Sequence, residues 1–235
     1  MSKQEPRKVQ LTGRSLSSVS MKVAVRVRTS LAGQHMLAAA LFSRRVKAIE
    51  SENQGKSFGP FYEEILSFSS ACVLMAVAAL EAYANEVYAD RGRHFPNIDA
   101  MIVDKCWELI EQKPILEKLG FALALLKAPQ LEKGQYPYQD ADTLIQLRNA
   151  LMHFKPAWDT ESEAHANLSR RLKNVKYKFA PSPFFSAHEP VFPRTWATHG
   201  CTKWAVETAL AIIDKFESRA KFTPKFAPFK DRLAT

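Results

Sequence analysis

The stretch LIQLRNALMHF, residues 144–154, has the apolar spacing of an amphipathic helix but carries an arginine within its apolar face. At about 100° per residue, Arg148 lies at about 40° from Leu144 and falls between Leu144 and Met152. An arginine cannot lose its proton in a protein, and a lone buried guanidinium costs several kcal/mol. The helix therefore needs an anionic partner for Arg148, or a cleft into which Arg148 opens.

A long apolar helix expected over residues 60–91 offers such a partner, because Glu81 and Asn85 fall within its apolar stripe. Two helices that each carry one misplaced charge, of opposite sign, are most simply explained if they pack together with Glu81 against Arg148. Asn85 could add a hydrogen bond to this pair. Two other interpretations are open: a buried ion pair that only fixes the register of the helices, and two side chains that lie at the edge of the stripe.

The rest of the sequence predicts a chain built mostly of helices. In addition to residues 60–91, helical spacing extends over residues 29–50, 98–112, 114–127, 140–155, 160–175 and 198–221. Asp140 or Asp142 would cap the helix that holds Arg148, and Pro156 would end it. We find no internal repeat. We therefore expect an all-α fold, a bundle of several helices, in which residues 20–27 could add a short β element.

Three segments follow from this pattern: an N-terminal arm over residues 1–28, partly strand-like or disordered, a single helical domain over residues 29–222, and a loose C-terminal tail over residues 223–235. Phenylalanine, proline and basic residues alternate in residues 177–194 and again in the tail. Such a sequence either stacks on nucleic-acid bases or wraps over the core and buries its rings. We expect it to wrap over the core.

Composition is typical of a globular protein. The 235 residues are 46% hydrophobic and 24% charged, enough apolar sequence for a sizeable core. No signal peptide is recognisable and three scattered cysteines give no disulfide framework, so we expect a cytoplasmic protein. Residues 1–56 carry eleven Lys/Arg and three Asp/Glu, residues 57–164 nine and sixteen, and residues 165–235 thirteen and five. Basic ends favour a polyanionic or acidic partner, and a merely solvated basic surface explains them equally well.

The order of residues around Arg148 resembles the signature of a known superfamily. Arg148 is followed by four residues and then by His153, near the end of a helix in an all-α chain. This resembles the HEPN (higher eukaryotes and prokaryotes nucleotide-binding) superfamily, in which a polar residue commonly follows the arginine, as Asn149 does. That superfamily frequently has an acidic residue on an earlier helix, and Glu81 matches it. The resemblance covers about residues 60–155.

The resemblance implies a metal-independent endoribonuclease, with no cofactor, that leaves a 2′,3′-cyclic phosphate and a 5′-OH. Arg148 would bind the scissile phosphate, and His153 would act as general acid or base. Asn149 would orient the histidine or contact the phosphate. Glu81 would hold Arg148 in place, and Asn85 would assist. The chemistry suits these side chains, because RNA carries its own 2′-OH nucleophile and an imidazole exchanges protons near neutral pH.

One geometric difficulty accompanies the resemblance. On an ideal helix Arg148 and His153 point about 140° apart. They can converge only if the helix unwinds near Phe154, as Pro156 would favour, or if a second chain completes the site. Members of the superfamily often pair two such helices across a dimer axis, so we expect a homodimer. They often act as toxins or in phage defence under the control of an antitoxin or another partner protein.

Other interpretations are weaker. The same pocket could bind a nucleotide or a protein without cleaving RNA, or the chain could be a purely structural helical protein. The spacing of His188, His199 and Cys201 matches no zinc pattern, and Cys201 is expected to pack in the last helix. His35, His94 and His165 are isolated, and we expect them at the surface or at helix ends. Glycine-rich phosphate loops and nucleophile elbows are absent from the sequence.

Overall fold

The computed structural model describes residues 29–156, 165–186 and 188–235. These residues are mostly helical and contain no β-strand, which confirms the all-α fold. The arm over residues 1–28 and the β element expected at residues 20–27 lie outside the described residues.

All seven expected helices are found, with ends displaced by a few residues. The first five residues of the helix expected over 160–175 lie outside the described residues. Two short helical segments, Val191–Thr195 and a 3-10 helix at Ala227–Leu233, lie before and after the last long helix. In chain order the α-helices are α1 Ala32–Glu52, α2 Phe61–Ala89, α3 Arg91–His94, α4 Ala100–Ile110, α5 Ile115–Leu125, α6 Tyr138–Met152, α7 Ala166–Lys173 and α8 His199–Ala220.

Helix α2 is the centre of the bundle. It packs against α1, α5, α6 and α8, and the two longest of these neighbours, α1 and α8, also contact each other. Its buried face is lined by aliphatic residues such as Val73, Val77 and Leu80. Among the described residues, α2 is the one helix long and apolar enough to cross a membrane by length and composition. In this fold it is the core helix, and four other helices cover it.

Helix α6 begins earlier than expected, and neither aspartate caps it. It starts at Tyr138 after Pro137 and has no side-chain cap. Asp140 is instead buried, and its carboxylate accepts hydrogen bonds from the indole Nε1 of Trp204 at 3.0 Å and from the backbone N–H of Lys176 at 3.1 Å. Asp140 therefore fixes α6 to α8 and to the segment that follows α7, and through α6 it positions Arg148.

The C-terminal region wraps over the core, as expected, and the tail is not loose. Phe184 and Phe192 are buried before α8, and in the tail Phe226 and Leu233 are at most 5% exposed. Arg44 of α1 donates hydrogen bonds to the backbone oxygens of residues 232 and 234. The expectation of a loose tail over residues 223–235 was wrong, because its apolar side chains remove more surface from water when they pack on α1 and α8.

We predict that Asp140→Ala lowers the free energy of unfolding by about 2–4 kcal/mol. The substitution leaves two buried donors without an acceptor, and each such loss costs about 1–3 kcal/mol. Asp142→Ala is the matched control two residues away, because Asp142 is part-exposed and its ion pair is with Arg171, so a loss below about 1 kcal/mol is expected. Urea denaturation followed by tryptophan fluorescence measures both. Equal losses for the two variants would contradict an anchoring role for Asp140.

Candidate functional site

Arg148 lies in a cavity of about 430 Å³ between α1, α2 and α6, which we call the Arg148 cavity. Its polar side chains come from three helices: His35 from α1, Glu81 and Asn85 from α2, and Arg148 from α6. The remaining wall is apolar and consists of Leu74, Met75, Val77, Ala78, Ala82 and Met152. An apolar cavity of this size with a few convergent polar groups is typical of a small-molecule binding site.

Arg148 has no acidic partner in this cavity. Its side chain is half-buried, and its Nε atom is buried without any hydrogen-bond partner. No ion pair within the described part of the chain involves Arg148. A buried donor on a permanent cation is costly unless an acceptor satisfies it, so this guanidinium is ready to take an anionic ligand.

Glu81 pairs with a lysine that was not predicted from the sequence. Lys118 of α5 forms an ion pair with Glu81, and it also donates a hydrogen bond to Asn85 Oδ1 at 3.2 Å. The expected ion pair between Glu81 and Arg148 is therefore not formed in the structure. The reason lies in the packing, because α5 lies along α2 and directs Lys118 at the side of α2 that carries both polar residues.

His153 and Asn149 lie outside the Arg148 cavity of their own chain. Helix α6 remains regular through Met152, and His153 follows as its C-terminal cap with φ −119° and ψ 40°. Both side chains are exposed. The helix does end before Pro156, as the sequence suggests, but this early end does not bring His153 to the cavity. One chain thus places Arg148 on an inner wall and His153 on the outer surface.

The surface beside His153 is aromatic and basic. Phe154 is 46% exposed and stacks on the ring of His165, with 5.4 Å between ring centres and 15° between planes. The Nε2 atom of His165 is buried without a hydrogen-bond partner, and Lys155 is exposed. Exposed aromatic rings next to cations are the groups on which unpaired bases stack.

Two residues of this region, Lys118 and His35, were not predicted from the sequence. Lys118 could have been found by the argument used for Arg148, because it falls at the edge of the apolar arc formed by Ile115, Leu119 and Ala122 on α5. No local signal identifies His35. It was expected to be an isolated surface or helix-end histidine, and only the packing of α1 on α2 brings it to the cavity.

Other reactive side chains are poorly placed for chemistry. Burial raises the pKa of the Cys72 and Cys201 thiols well above their usual range, so neither is a nucleophile at neutral pH. Burial lowers the pKa of His199, and Lys47 and Lys203 lower it further. In the described part of the chain, no three His, Cys, Asp or Glu side chains are grouped as metal ligands would be. Cys201 lies on α8 and packs in the hydrophobic core, as expected.

Comparisons of the chain with protein-family models, with curated proteins and with solved structures gave no match.

We predict that Arg148→Met preserves the stability of the protein or raises the free energy of unfolding by about 1 kcal/mol. The substitution removes a buried unsatisfied donor and keeps most of the side-chain volume. Loss of one partner from a buried ion pair would instead cost about 3–5 kcal/mol. Lys118→Met, which does break an ion pair, is the control that should be destabilised. Urea denaturation gives both values, and a large loss in Arg148→Met would mean that Arg148 is a structural residue.

Proposed function

We propose that the protein is a metal-independent endoribonuclease of HEPN type that cleaves RNA with Arg148 and His153. The observation that carries the proposal is the unpaired Arg148 guanidinium, which lines a cavity on a helix that ends at an exposed histidine. A fold can persist with a buried donor left unsatisfied where a ligand supplies the acceptor, and a phosphate oxygen is the acceptor that best matches a guanidinium.

The reaction needs only groups of the protein and of RNA. The ribose 2′-OH attacks the adjacent phosphorus, and the bond from phosphorus to the 5′-oxygen of the next nucleotide breaks. His153 takes the proton of the attacking hydroxyl or gives one to the leaving oxygen, and solvent balances the other transfer. Arg148 stabilises the additional negative charge on the phosphoryl oxygens in the transition state. The products are a 2′,3′-cyclic phosphate and a 5′-OH.

A second copy of the chain would complete the site. Because Arg148 and His153 face different sides of α6, the Arg148 of one chain would act together with the His153 of its partner. The apolar residues around the cavity support such an interface, since Met152 is 55% exposed and Met75 and Ala78 are half-exposed on α2. Asn149, exposed on the same turn as His153, would contact the phosphate or orient the imidazole.

His35 is the competing imidazole within one chain. It lines the Arg148 cavity together with Glu81 and Asn85, so a site that used His35 would need no partner copy. A non-catalytic module is the second candidate function. It is favoured by the fact that a single chain forms a cavity of about 430 Å³ to which His153 does not contribute. Such a module would bind a nucleotide, or present the same face to a protein, without cleavage. In either case we expect a cytoplasmic protein, with toxin or phage-defence activity and an antitoxin-like regulator in the catalytic case.

We predict that the purified protein cleaves RNA in EDTA and that Arg148→Ala and His153→Ala each reduce the cleavage rate by at least about 100-fold. His35→Ala is the control for the in-chain imidazole and should retain most of the activity. Cleavage is measured on a mixed RNA by gel electrophoresis, and the 2′,3′-cyclic ends are identified by mass spectrometry. Undiminished cleavage by the two variants would indicate a contaminating nuclease. A loss in Arg148→Ala and His35→Ala, with His153→Ala fully active, would transfer the catalytic role from His153 to His35.

Mixing the two inactive variants tests the composite site. In a dimer of one Arg148→Ala chain and one His153→Ala chain, one of the two sites keeps both wild-type residues. We therefore expect activity to return to roughly a quarter of the wild-type rate after random exchange of subunits, as two-fold symmetry requires. A strictly monomeric mass at micromolar concentration, or no recovery after exchange, would contradict the composite site. No cleavage, but stabilisation by nucleotides, would identify the binding module.

A further inference from the structure

Lys118 is an almost fully buried cation whose ion pair and side-chain hydrogen bond are both with residues that line the Arg148 cavity. Its side chain is 4% exposed, compared with 38% for the side chain of its ion-pair partner Glu81. Its Nζ also donates to Asn85 Oδ1 and lies 5.5 Å from the centre of the Trp107 ring. The hydroxyl of Tyr88 donates to the Lys118 backbone oxygen at 2.7 Å and fixes the turn of α5 that carries the lysine. Within the described part of the chain, the carboxylate of Glu81 is the one acidic group that forms an ion pair with Lys118.

Glu81 is the carboxylate in the wall of the Arg148 cavity. Without a cation beside it, this carboxylate would pair with the guanidinium and occupy donors that a ligand needs, or it would repel an anionic ligand bound in the cavity. The sequence predicts a pair between Glu81 and the guanidinium of Arg148. In the structure Lys118 takes the carboxylate instead, and Arg148 Nε stays without a partner.

We propose that Lys118 is a positioning residue for the Arg148 cavity: it neutralises Glu81 and so keeps the Arg148 guanidinium available for a phosphate group. The inference rests on the proposed function where it takes that phosphate to be the scissile phosphate of RNA. Lys118 does not touch the phosphate. It acts through Glu81.

The charges of three side chains make the inference testable. Arg148, Glu81 and Lys118 together carry one net positive charge. Glu81→Gln raises this charge to two, Lys118→Met lowers it to zero, and the double variant restores it to one without either ionised partner. A role in charge balance therefore predicts opposite effects of the two single substitutions and cancellation in the double variant. A merely structural ion pair predicts loss of stability in both single variants and no gain in anion affinity in either.

The experiment is a titration of the full chain with inorganic phosphate, followed by NMR at the Arg148 Nε–H resonance, which is identified by its absence in Arg148→Lys. We expect Glu81→Gln to bind phosphate about three- to tenfold more tightly than the wild type, and Lys118→Met to bind it about three- to tenfold more weakly. The double variant should return to within about twofold of the wild type. Thermal melts of each variant accompany the titrations, and Lys118→Arg, which keeps the charge, should stay near wild-type affinity.

Glu108→Gln is the matched control, because Glu108 forms an exposed ion pair with Lys105 and its substitution changes the net charge by the same amount. It should leave the phosphate affinity unchanged. Weaker phosphate binding in Glu81→Gln would overturn the inference, because it would mean that Glu81 supports Arg148 directly. A double variant as weak as Lys118→Met would also overturn it. If Lys118→Met does not fold, the direction of the change in Glu81→Gln still decides between these roles.

The two proposals can fail separately. Phosphate affinities in the predicted order, without any cleavage of RNA, would leave the role of Lys118 intact and refute the nuclease. Cleavage of RNA that depends on Arg148 and His153, with phosphate affinities that do not follow the charges of Glu81 and Lys118, would support the nuclease and refute the role of Lys118.

Discussion

The ion pair between Glu81 and Lys118 compensates the charges that meet between the central helix α2 and helix α5. Helix α2 packs against α1, α5, α6 and α8, and it carries a carboxylate and an amide, Glu81 and Asn85, in the last third of its length. Lys118 of α5 is almost fully buried beside them, and a buried ammonium is tolerated only with an anion and further hydrogen bonds next to it. Glu81 supplies the anion, and Asn85 accepts a hydrogen bond from the same ammonium. This contact joins α5 to α2 and places a neutralised carboxylate in the wall of the Arg148 cavity.

That arrangement leaves Arg148 without an acidic partner among the described residues. Three ionisable side chains meet around α2, and the carboxylate pairs with the lysine and not with the arginine. The protein therefore keeps one guanidinium donor buried and unsatisfied, at a cost to its stability. Buried polar groups in folded proteins are nearly all hydrogen-bonded, and an exception calls for an explanation such as a bound ion or a catalytic role. This is the physical basis for placing the candidate site at Arg148.

The placement of His153 decides which kind of site this can be. As the cap of a regular helix, its imidazole is exposed and directed away from the cavity that holds Arg148. A nuclease that uses Arg148 together with His153 therefore requires a second chain, whereas ligand binding by Arg148 does not. The aromatic pair Phe154 and His165 continues the surface beside His153, where an unpaired base would find a stacking partner.

Much of this protein is determined by the sequence alone, and the rest only by its tertiary structure. Apolar periodicity and proline positions predicted seven of the eight α-helices in the described residues, and the helical wheel identified Arg148 and Glu81 as charges on packing faces. Both inferences depend only on residues a few positions apart. The partner of Glu81, the approach of His35 to the cavity, the anchoring role of Asp140 and the packed tail were not predictable in this way. Each depends on distances between segments tens of residues apart, and such distances are fixed only when α1, α5, α6 and α8 have packed around α2.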